Sequence, residues 1–111
     1  MHFVALLADH DGALPVRMAH RPAHLEWLKT APIPIAGPFL DEKGDMIGTM
    51  VIIEAEDEAA ARAILAEDPF AKAGLFKSLD LRAWRWGWGK PARGAERGAL
   101  ALQVRTGRLL L

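Results

Sequence analysis

Four short apolar runs lie along the chain, and turn-forming residues separate them. Their lengths and their β-branched or alternating apolar side chains are typical of strands. The predicted strands are residues 2–8, 33–36, 48–55 and 76–88. Because prolines crowd the second run, it is expected at a sheet edge, where a missing backbone donor costs little. In the last run, alternation divides the side chains between two faces, with Leu79, Leu81 and Ala83 on one and Trp84, Trp86 and Trp88 on the other.

A helical pattern follows the first strand, over residues 14–30. Met18, Leu25 and Leu28 fall near one stripe of such a helix, which predicts its buried face. Pro22 interrupts the pattern, because proline removes a backbone donor and disfavours an α conformation in the preceding residue. The helix is therefore expected either to kink at Pro22 or to restart with Pro22 in its first turn.

The second helix is predicted over residues 57–67. Asp57 is a favourable N-cap, an Ala- and Leu-rich body follows it, and Asp68 with Pro69 ends it. The resulting order, β-α-β-β-α-β, predicts an α+β domain of ferredoxin-like topology, with both helices on one face of an antiparallel sheet. Because the other sheet face then lacks a cover, a homodimer that buries it is expected.

The composition fits one small globular domain, since 51% of the 111 residues are apolar and 25% are charged. The absence of cysteine excludes disulfides, thiolate metal ligands and a cysteine nucleophile. The first apolar run meets Asp9 too soon for a signal peptide, and no apolar stretch approaches the roughly 20 residues that cross a bilayer. We therefore expect a cytoplasmic protein without a membrane partner.

Charge divides the chain into two parts. Residues 1–89 carry nine Lys and Arg against thirteen Asp and Glu, a net charge of −4, whereas residues 90–111 carry five against one, a net charge of +4. The acidic body has no field that would gather nucleic acid, so a nucleic-acid partner is not expected. The structured domain is predicted to span residues 1–89, and the basic residues 90–111 are predicted to form a flexible tail.

His24 and Asp68 have side chains suited to proton transfer. A histidine changes charge near neutral pH, and a carboxylate that accepts its ring proton fixes the tautomer and raises its basicity. The residues are far apart in sequence, but each lies on or just after one of the two helices that pack on the sheet. The plainer interpretation is a half-buried helix histidine and an aspartate that merely ends a helix.

Arg17 lies about two helical turns before His24, so both share a helix face if Pro22 does not break the axis. Its guanidinium is suited to hold a substrate carboxylate or phenolate, and a solvated surface arginine is the alternative. Arg21, one turn further on, is a weaker candidate for the same role. His20 and His24 have a spacing that chelates zinc on some helices, but Pro22 disturbs the helix that this requires, so a metal site is not expected.

Gly37 and Pro38 follow the second strand in an expected loop. Gly37 has no Cβ and can adopt a positive φ, which would let the backbone approach a ligand, although a simple turn is the alternative. Neither a G-x-G-x-x-G nor a G-K-[ST] phosphate motif occurs, so no nucleotide cofactor is expected. Phe70 is expected in the core or in a pocket wall. The tryptophan-rich residues 84–88 are suited to stack on single-stranded nucleic acid, but packing in a dimer or on the sheet fits the acidic body better.

Several short motifs occur in a distinctive order and spacing between residue 1 and about residue 89. They are Arg17, Arg21-Pro22-Ala23-His24-Leu25, Ala36-Gly37-Pro38, Gly48, Asp68-Pro69-Phe70, Gly74-Leu75 and Arg82-Ala83-Trp84. Together they resemble the YCII-related (YciI-like) proteins, a family of small domains with the dimeric α+β barrel fold. The resemblance implies that His24 and Asp68 form the active site. A dehydrochlorinase of hydroxylated aromatics is similar in fold to this family.

The sequence thus predicts a cofactor-independent enzyme that acts on a small cyclic or aromatic anion by proton transfer, like a lyase, a dehydrochlorinase or an isomerase. One alternative is a non-catalytic module of the same fold that binds a small molecule. Another is a structural dimeric subunit, which would have no pocket at the histidine. The predicted catalytic residues are His24 and Asp68, and the predicted substrate-binding residues are Arg17, Gly37, Pro38 and Phe70.

Overall fold

The computed structural model describes residues 1–90, and its regular elements follow the predicted order. The strands are β1 (His2–Asp9), β2 (Ile35–Leu40), β3 (Met46–Glu54) and β4 (Phe76–Trp84), and the helices are α1 (Leu14–Leu28), α2 (Glu58–Ala66) and α3 (Pro69–Lys72). The predicted tail lies, apart from Lys90, outside these residues, so the domain boundary at residue 89 stays a prediction. Within residues 1–90, no helix is long and apolar enough to cross a membrane.

The four strands form one sheet in the order β2-β3-β1-β4, and every neighbouring pair is antiparallel. This confirms the predicted α+β fold of ferredoxin-like topology. Alternate residues of β1 and β3 point to the sheet face that α2 covers, and they form the apolar core with the inner side of that helix. The buried core residues are Phe3, Ala5, Leu7, Val51, Ile53, Ala61 and Leu65.

The edge strand differs from its predicted bounds. A strand over residues 33–36 is wrong, because β2 spans Ile35–Leu40 and includes Gly37 and Pro38. The predicted edge position is confirmed, since β2 is the outermost strand beside β3. An edge strand has one unpaired side, which is why it accommodates Pro38 without loss of a ladder hydrogen bond.

The last strand is shorter than predicted. It ends at Trp84 rather than at residue 88, because Trp84 lies opposite His2, the first residue of β1, and β1 offers no pairing partner beyond it. Trp84 and Trp86 pack against the ring of His2, with centroid distances of 6.4 and 5.6 Å. Trp88 lies after the strand and is 94% exposed. Trp84 and Trp86 therefore form a cluster with His2 at one sheet corner, and the three tryptophans do not form a stripe along a strand.

α1 turns a different face inward from the one predicted. Its buried residues are Arg17 and His24, whereas Met18 and Leu25 are 48% and 41% exposed. The predicted apolar stripe is therefore wrong at Met18 and Leu25, whereas its third residue, Leu28, is half-buried. The two buried polar side chains have charged partners on neighbouring elements, and these pairs hold that face inward. The helix also continues through Pro22, so the predicted restart at this residue is wrong.

α2 follows its prediction closely. The Asp57 carboxylate accepts a hydrogen bond from the Ala60 backbone N–H at 2.8 Å, which confirms the predicted N-cap. Ala61 and Leu65 are buried on the side that faces the sheet. The residues between α2 and β4 contain the short helix α3, whose first residue is Pro69.

Candidate active site

His24 and Asp68 meet on the inner side of α1. His24 Nδ1 lies 2.8 Å from Asp68 Oδ1, and the two residues are only 6% and 2% exposed. An ionised carboxylate only accepts hydrogen bonds, so Nδ1 carries the proton and donates it. Nε2 is then the ring nitrogen with a lone pair, and it has no hydrogen-bond partner within residues 1–90.

Local sequence fixes the position of Asp68. It is the N-cap of α3, and its Oδ1 also accepts the Phe70 backbone N–H at 2.9 Å. Pro69 occupies the first helical position, where a missing N–H costs nothing. The same carboxylate therefore caps a short helix and binds the histidine, so the plainer interpretation of Asp68 as a residue at a helix end describes only half of its contacts.

Phe70 contacts both buried polar residues of α1. Its buried ring stacks on the imidazole of His24, with centroids 4.0 Å apart and planes 16° from parallel. Arg17 Cζ lies 4.8 Å from the centroid of the same ring, within the range of a cation–π contact. The ring thus restrains the orientations of the imidazole and the guanidinium together.

Arg17 is a buried residue rather than a solvated one. Its Nε donates to Asp9 Oδ2 at 2.8 Å, and its Nη2 donates to Asp9 Oδ1 at 3.0 Å and to Thr49 Oγ1 at 2.7 Å. Two parallel hydrogen bonds to one carboxylate fix the plane of the guanidinium. Nη1 forms no hydrogen bond within residues 1–90, so its two N–H groups keep their donor capacity.

A cavity of about 170 Å³ lies between α1 and the edge of the sheet formed by β2. Arg17 and His24 line it, whereas their carboxylate partners Asp9 and Asp68 do not. The predicted structural subunit, with no pocket at the histidine, is therefore disfavoured. The other lining residues are Arg21, Leu25, Leu28, Ala36, Gly37, Pro38, Met46, Thr49 and Phe70.

Gly37 lines the cavity, but it is neither the turn nor the positive-φ glycine that the sequence suggests. It lies in β2 without a positive φ, and a Cβ added to it would meet nothing within 4 Å. Gly48 on β3 shows the opposite situation, because its added Cβ would lie 2.6 Å from the carbonyl oxygen of Leu7. The close approach of β1 and β3 therefore requires Gly48, whereas the fold leaves room for a side chain at Gly37.

Asp9 and Thr49 are residues of the site that the sequence does not single out. Asp9 lies just after the first predicted strand, and Thr49 lies within the third. Strand alternation contains the missing signal: Asp9 lies two positions after the buried Leu7, and Thr49 lies two positions before the buried Val51. Both side chains therefore continue the buried faces of their strands, where a polar group requires a partner.

The histidine pair on α1 is not arranged as a metal chelate. His20 is exposed, whereas His24 turns inward to Asp68. Among residues 1–90 there is no group of three histidine, aspartate or glutamate side chains placed to hold a metal ion.

The residues of this fold match a known protein family. The YCII-related domain matches residues 1–85. The chain belongs to this family. The resemblance found in the sequence motifs is therefore confirmed, and the structural relatives of this YCII-related protein have the dimeric α+β barrel fold. No curated protein sequence matches the chain.

Two solved structures illustrate the relationship. A 5-chloro-2-hydroxyhydroquinone dehydrochlorinase from Burkholderia phenoliruptrix, solved in complex with 2,5-dihydroxybenzoquinone, is 34% identical to the YCII-related protein. The match covers 78% of this chain and 96% of the dehydrochlorinase, with a TM-score of 0.71. SnoaB, a cofactor-independent oxygenase from Streptomyces nogalater, is 18% identical, over 80% of this chain and 96% of its own, with a TM-score of 0.50. At that identity the second match shows a shared fold only.

Proposed function

We propose that this YCII-related protein is a cofactor-independent enzyme that transfers a proton on a small cyclic or aromatic anion, in a lyase-type or isomerase-type reaction. The observation that carries the proposal is the 2.8 Å contact between His24 Nδ1 and Asp68 Oδ1, which leaves Nε2 as the basic nitrogen of a residue that lines a cavity. A base in this position takes a proton from a bound ligand. In an elimination, the electron pair left on the ligand expels a leaving group such as chloride, and the imidazolium passes its proton to water; in an isomerisation, the imidazolium returns the proton to another atom of the ligand.

Asp68 acts through the imidazole in this proposal. Its carboxylate holds the proton on Nδ1, keeps the ring in one orientation and stabilises the imidazolium that forms when Nε2 accepts a proton. Phe70 adds a second restraint because its ring lies parallel to the imidazole at 4.0 Å. The pair therefore needs no rearrangement during the proton transfer.

The size and chemistry of the cavity support a single-ring ligand. A volume of about 170 Å³ suits one substituted six-membered ring better than a fused ring system. The Arg17 Nη1 edge supplies donors for an oxygen substituent, and Gly37, Pro38 and Phe70 form predominantly apolar walls. The dehydrochlorinase with 34% identity was solved with a ligand of this class, which supports an elimination or a related reaction for this chain.

Turnover tests the proposal. Purified protein is offered 5-chloro-2-hydroxyhydroquinone and a panel of single-ring phenols and quinones, and chloride release and absorbance are followed. His24→Gln removes the base and is expected to lower kcat by about 10²- to 10⁴-fold, while ligand affinity changes little. Asp68→Asn is expected to lower kcat as well, because an amide does not hold the same tautomer as firmly.

The matched control is His20→Gln, which changes an exposed histidine on the same helix. It is expected to keep wild-type turnover. Equal turnover in the His24 and His20 variants contradicts the proposal. Binding of the panel without any turnover by the wild-type protein supports the alternative, a non-catalytic small-molecule-binding module.

The homodimer predicted from the uncovered sheet face belongs to this proposal. Leu6, Ile35 and Phe39 are 37%, 40% and 42% exposed, and alternation places them on the face opposite the helices. On the same face, a hydrogen bond and the charge of Asp80 raise the pKa of the exposed Arg82. Sedimentation is expected to give a dimer, and Leu6→Asp a monomer; a monomeric wild-type protein contradicts this part. A cytoplasmic location stays a prediction.

A further inference from the structure

The cavity contains two arginines in different electrostatic situations. Arg17 is 2% exposed and forms a bidentate pair with Asp9, so its charge is cancelled at the site. Arg21 is exposed, lines the same cavity and has no carboxylate partner within residues 1–90. The site thus holds one neutralised guanidinium inside the cavity and one uncompensated guanidinium at its solvent-exposed side.

The inner charges alone do not favour an anion. Arg17 cancels Asp9, and Asp68 leaves one negative charge when His24 is neutral. A ligand anion that approaches Nε2 would then meet a net negative charge behind the imidazole, in surroundings that screen it less than water does. Within residues 1–90, Arg21 is the one cationic lining residue whose charge no neighbouring carboxylate cancels.

We infer that Arg21 is the residue that selects anionic ligands in this cavity, and that Arg17 serves as a neutralised, fixed pair of hydrogen-bond donors. The inference rests on the proposed function of the cavity and deepens it by naming the residue that recognises the anionic ligand. A single ring with an anionic oxygen toward Arg21 and a second, accepting oxygen toward Arg17 Nη1 satisfies both groups. Asp9 and Thr49 are positioning residues in this arrangement, because they fix the guanidinium plane of Arg17.

Two ligands of similar size distinguish the contribution of ligand charge to binding from that of ligand shape. 2,5-Dihydroxybenzoquinone is anionic at neutral pH because its hydroxyl groups are vinylogous carboxylic acids. Hydroquinone is a single ring with two oxygens, and it is neutral at this pH because phenols ionise near a pH of about 10. The ratio of their Kd values, measured by calorimetry or fluorescence titration, reports the preference of the cavity for an anion.

Arg21→Gln is expected to reduce that preference about tenfold, by weakening the binding of the quinone anion while the Kd of hydroquinone stays unchanged. Arg21→Lys keeps the charge and is expected to keep most of the preference. The wild-type preference is also expected to fall between about 0.05 M and about 0.5 M salt, and the Arg21→Gln variant to respond less, since salt screens the interaction of exposed charges.

Arg85→Gln is the matched control, since Arg85 is another exposed arginine without a carboxylate partner in residues 1–90. It lies just after the residue that pairs with His2, at the far end of β1 from Asp9, so its loss is expected to leave the preference at the wild-type value. An unchanged preference in Arg21→Gln overturns this inference alone. No preference in the wild-type protein overturns this inference and also contradicts the anionic ligand of the proposed function. Failure of the wild-type protein to bind either probe contradicts the proposed function and this inference together.

Discussion

The two helices on the sheet bury opposite kinds of side chain. α2 places Ala61 and Leu65 on the apolar residues of β1 and β3, and this half of the layer is an ordinary core. α1 buries Arg17 and His24 instead, and leaves Met18 mostly exposed. One half of the layer therefore stabilises the fold through apolar contacts, while the other half uses paired charges to line a cavity.

Such a division has an energetic cost. Two ionisable residues removed from water are stabilised only while their carboxylate partners remain, and an apolar replacement of such a pair is often equally stable. The polar half is therefore not required for stability alone. Its side chains are better explained by the chemistry of the cavity that they line.

The largest stability effect is expected in the polar half. Asp9→Ala leaves the Arg17 charge buried without its partner and is expected to lower the free energy of unfolding by about 3–5 kcal/mol. The double variant Asp9→Leu with Arg17→Met replaces the pair by apolar groups and is expected to recover most of that loss. Urea titration of both proteins measures the difference. A double variant as unstable as the single one would show that the pair stabilises the fold in itself.

A smaller loss is expected in the apolar half. Leu65→Ala removes a side chain that is 5% exposed and is expected to cost about 2–4 kcal/mol through the lost burial and the cavity left behind. The same variant is expected to bind 2,5-dihydroxybenzoquinone as the wild-type protein does, because Leu65 does not line the site. An altered Kd in protein that is still folded would indicate that the two halves are coupled.

A substitution at Gly48 tests the close approach of β1 and β3. Gly48→Ala places a methyl group 2.6 Å from the Leu7 carbonyl oxygen and is expected to destabilise the fold by about 1–3 kcal/mol. Gly37→Ala is the matched control on the neighbouring strand, where the added methyl group meets open space. Thermal unfolding of the two variants compares them directly. Equal losses would contradict the packing argument.

The smallest effect is expected on the outer side of α1. Met18→Gln changes an apolar side chain that is 48% exposed and is expected to alter the free energy of unfolding by no more than about 0.5 kcal/mol. A loss of several times that size in urea titration would mean that the outer side of α1 is covered by another subunit.

The sequence predicts the apolar half better than the polar half. The pattern around Ala61 and Leu65 and the cap at Asp57 follow from local rules, because apolar spacing and capping are properties of a single helix. The inward face of α1 does not, because Arg17 is buried by residues distant in sequence, Asp9 on β1 and Thr49 on β3. Tertiary pairing overrides the apolar stripe there.

The ends of the strands are also set by tertiary pairing, which local sequence patterns do not reveal. The alternation in residues 76–88 continues past the point where β1 begins, so the sequence alone does not reveal that β4 ends at Trp84. Conversely, the predicted edge strand stops at residue 36 because Pro38 resembles a strand breaker, whereas β2 accommodates it on the unpaired side of the sheet edge. The His24 and Asp68 pair was found because a family resemblance supplied what local patterns do not contain.

The most direct test of the account is the ring-nitrogen NMR spectrum of His24 during titration with 2,5-dihydroxybenzoquinone. We predict that Nδ1 carries the proton in the free protein, held by Asp68. We also predict that the ligand shifts the Nε2 resonance, and that this shift saturates at ligand concentrations consistent with the measured Kd. His20 is expected to show no such shift. Binding that leaves both His24 ring nitrogens unchanged, or a free protein with its proton on Nε2, would contradict the account.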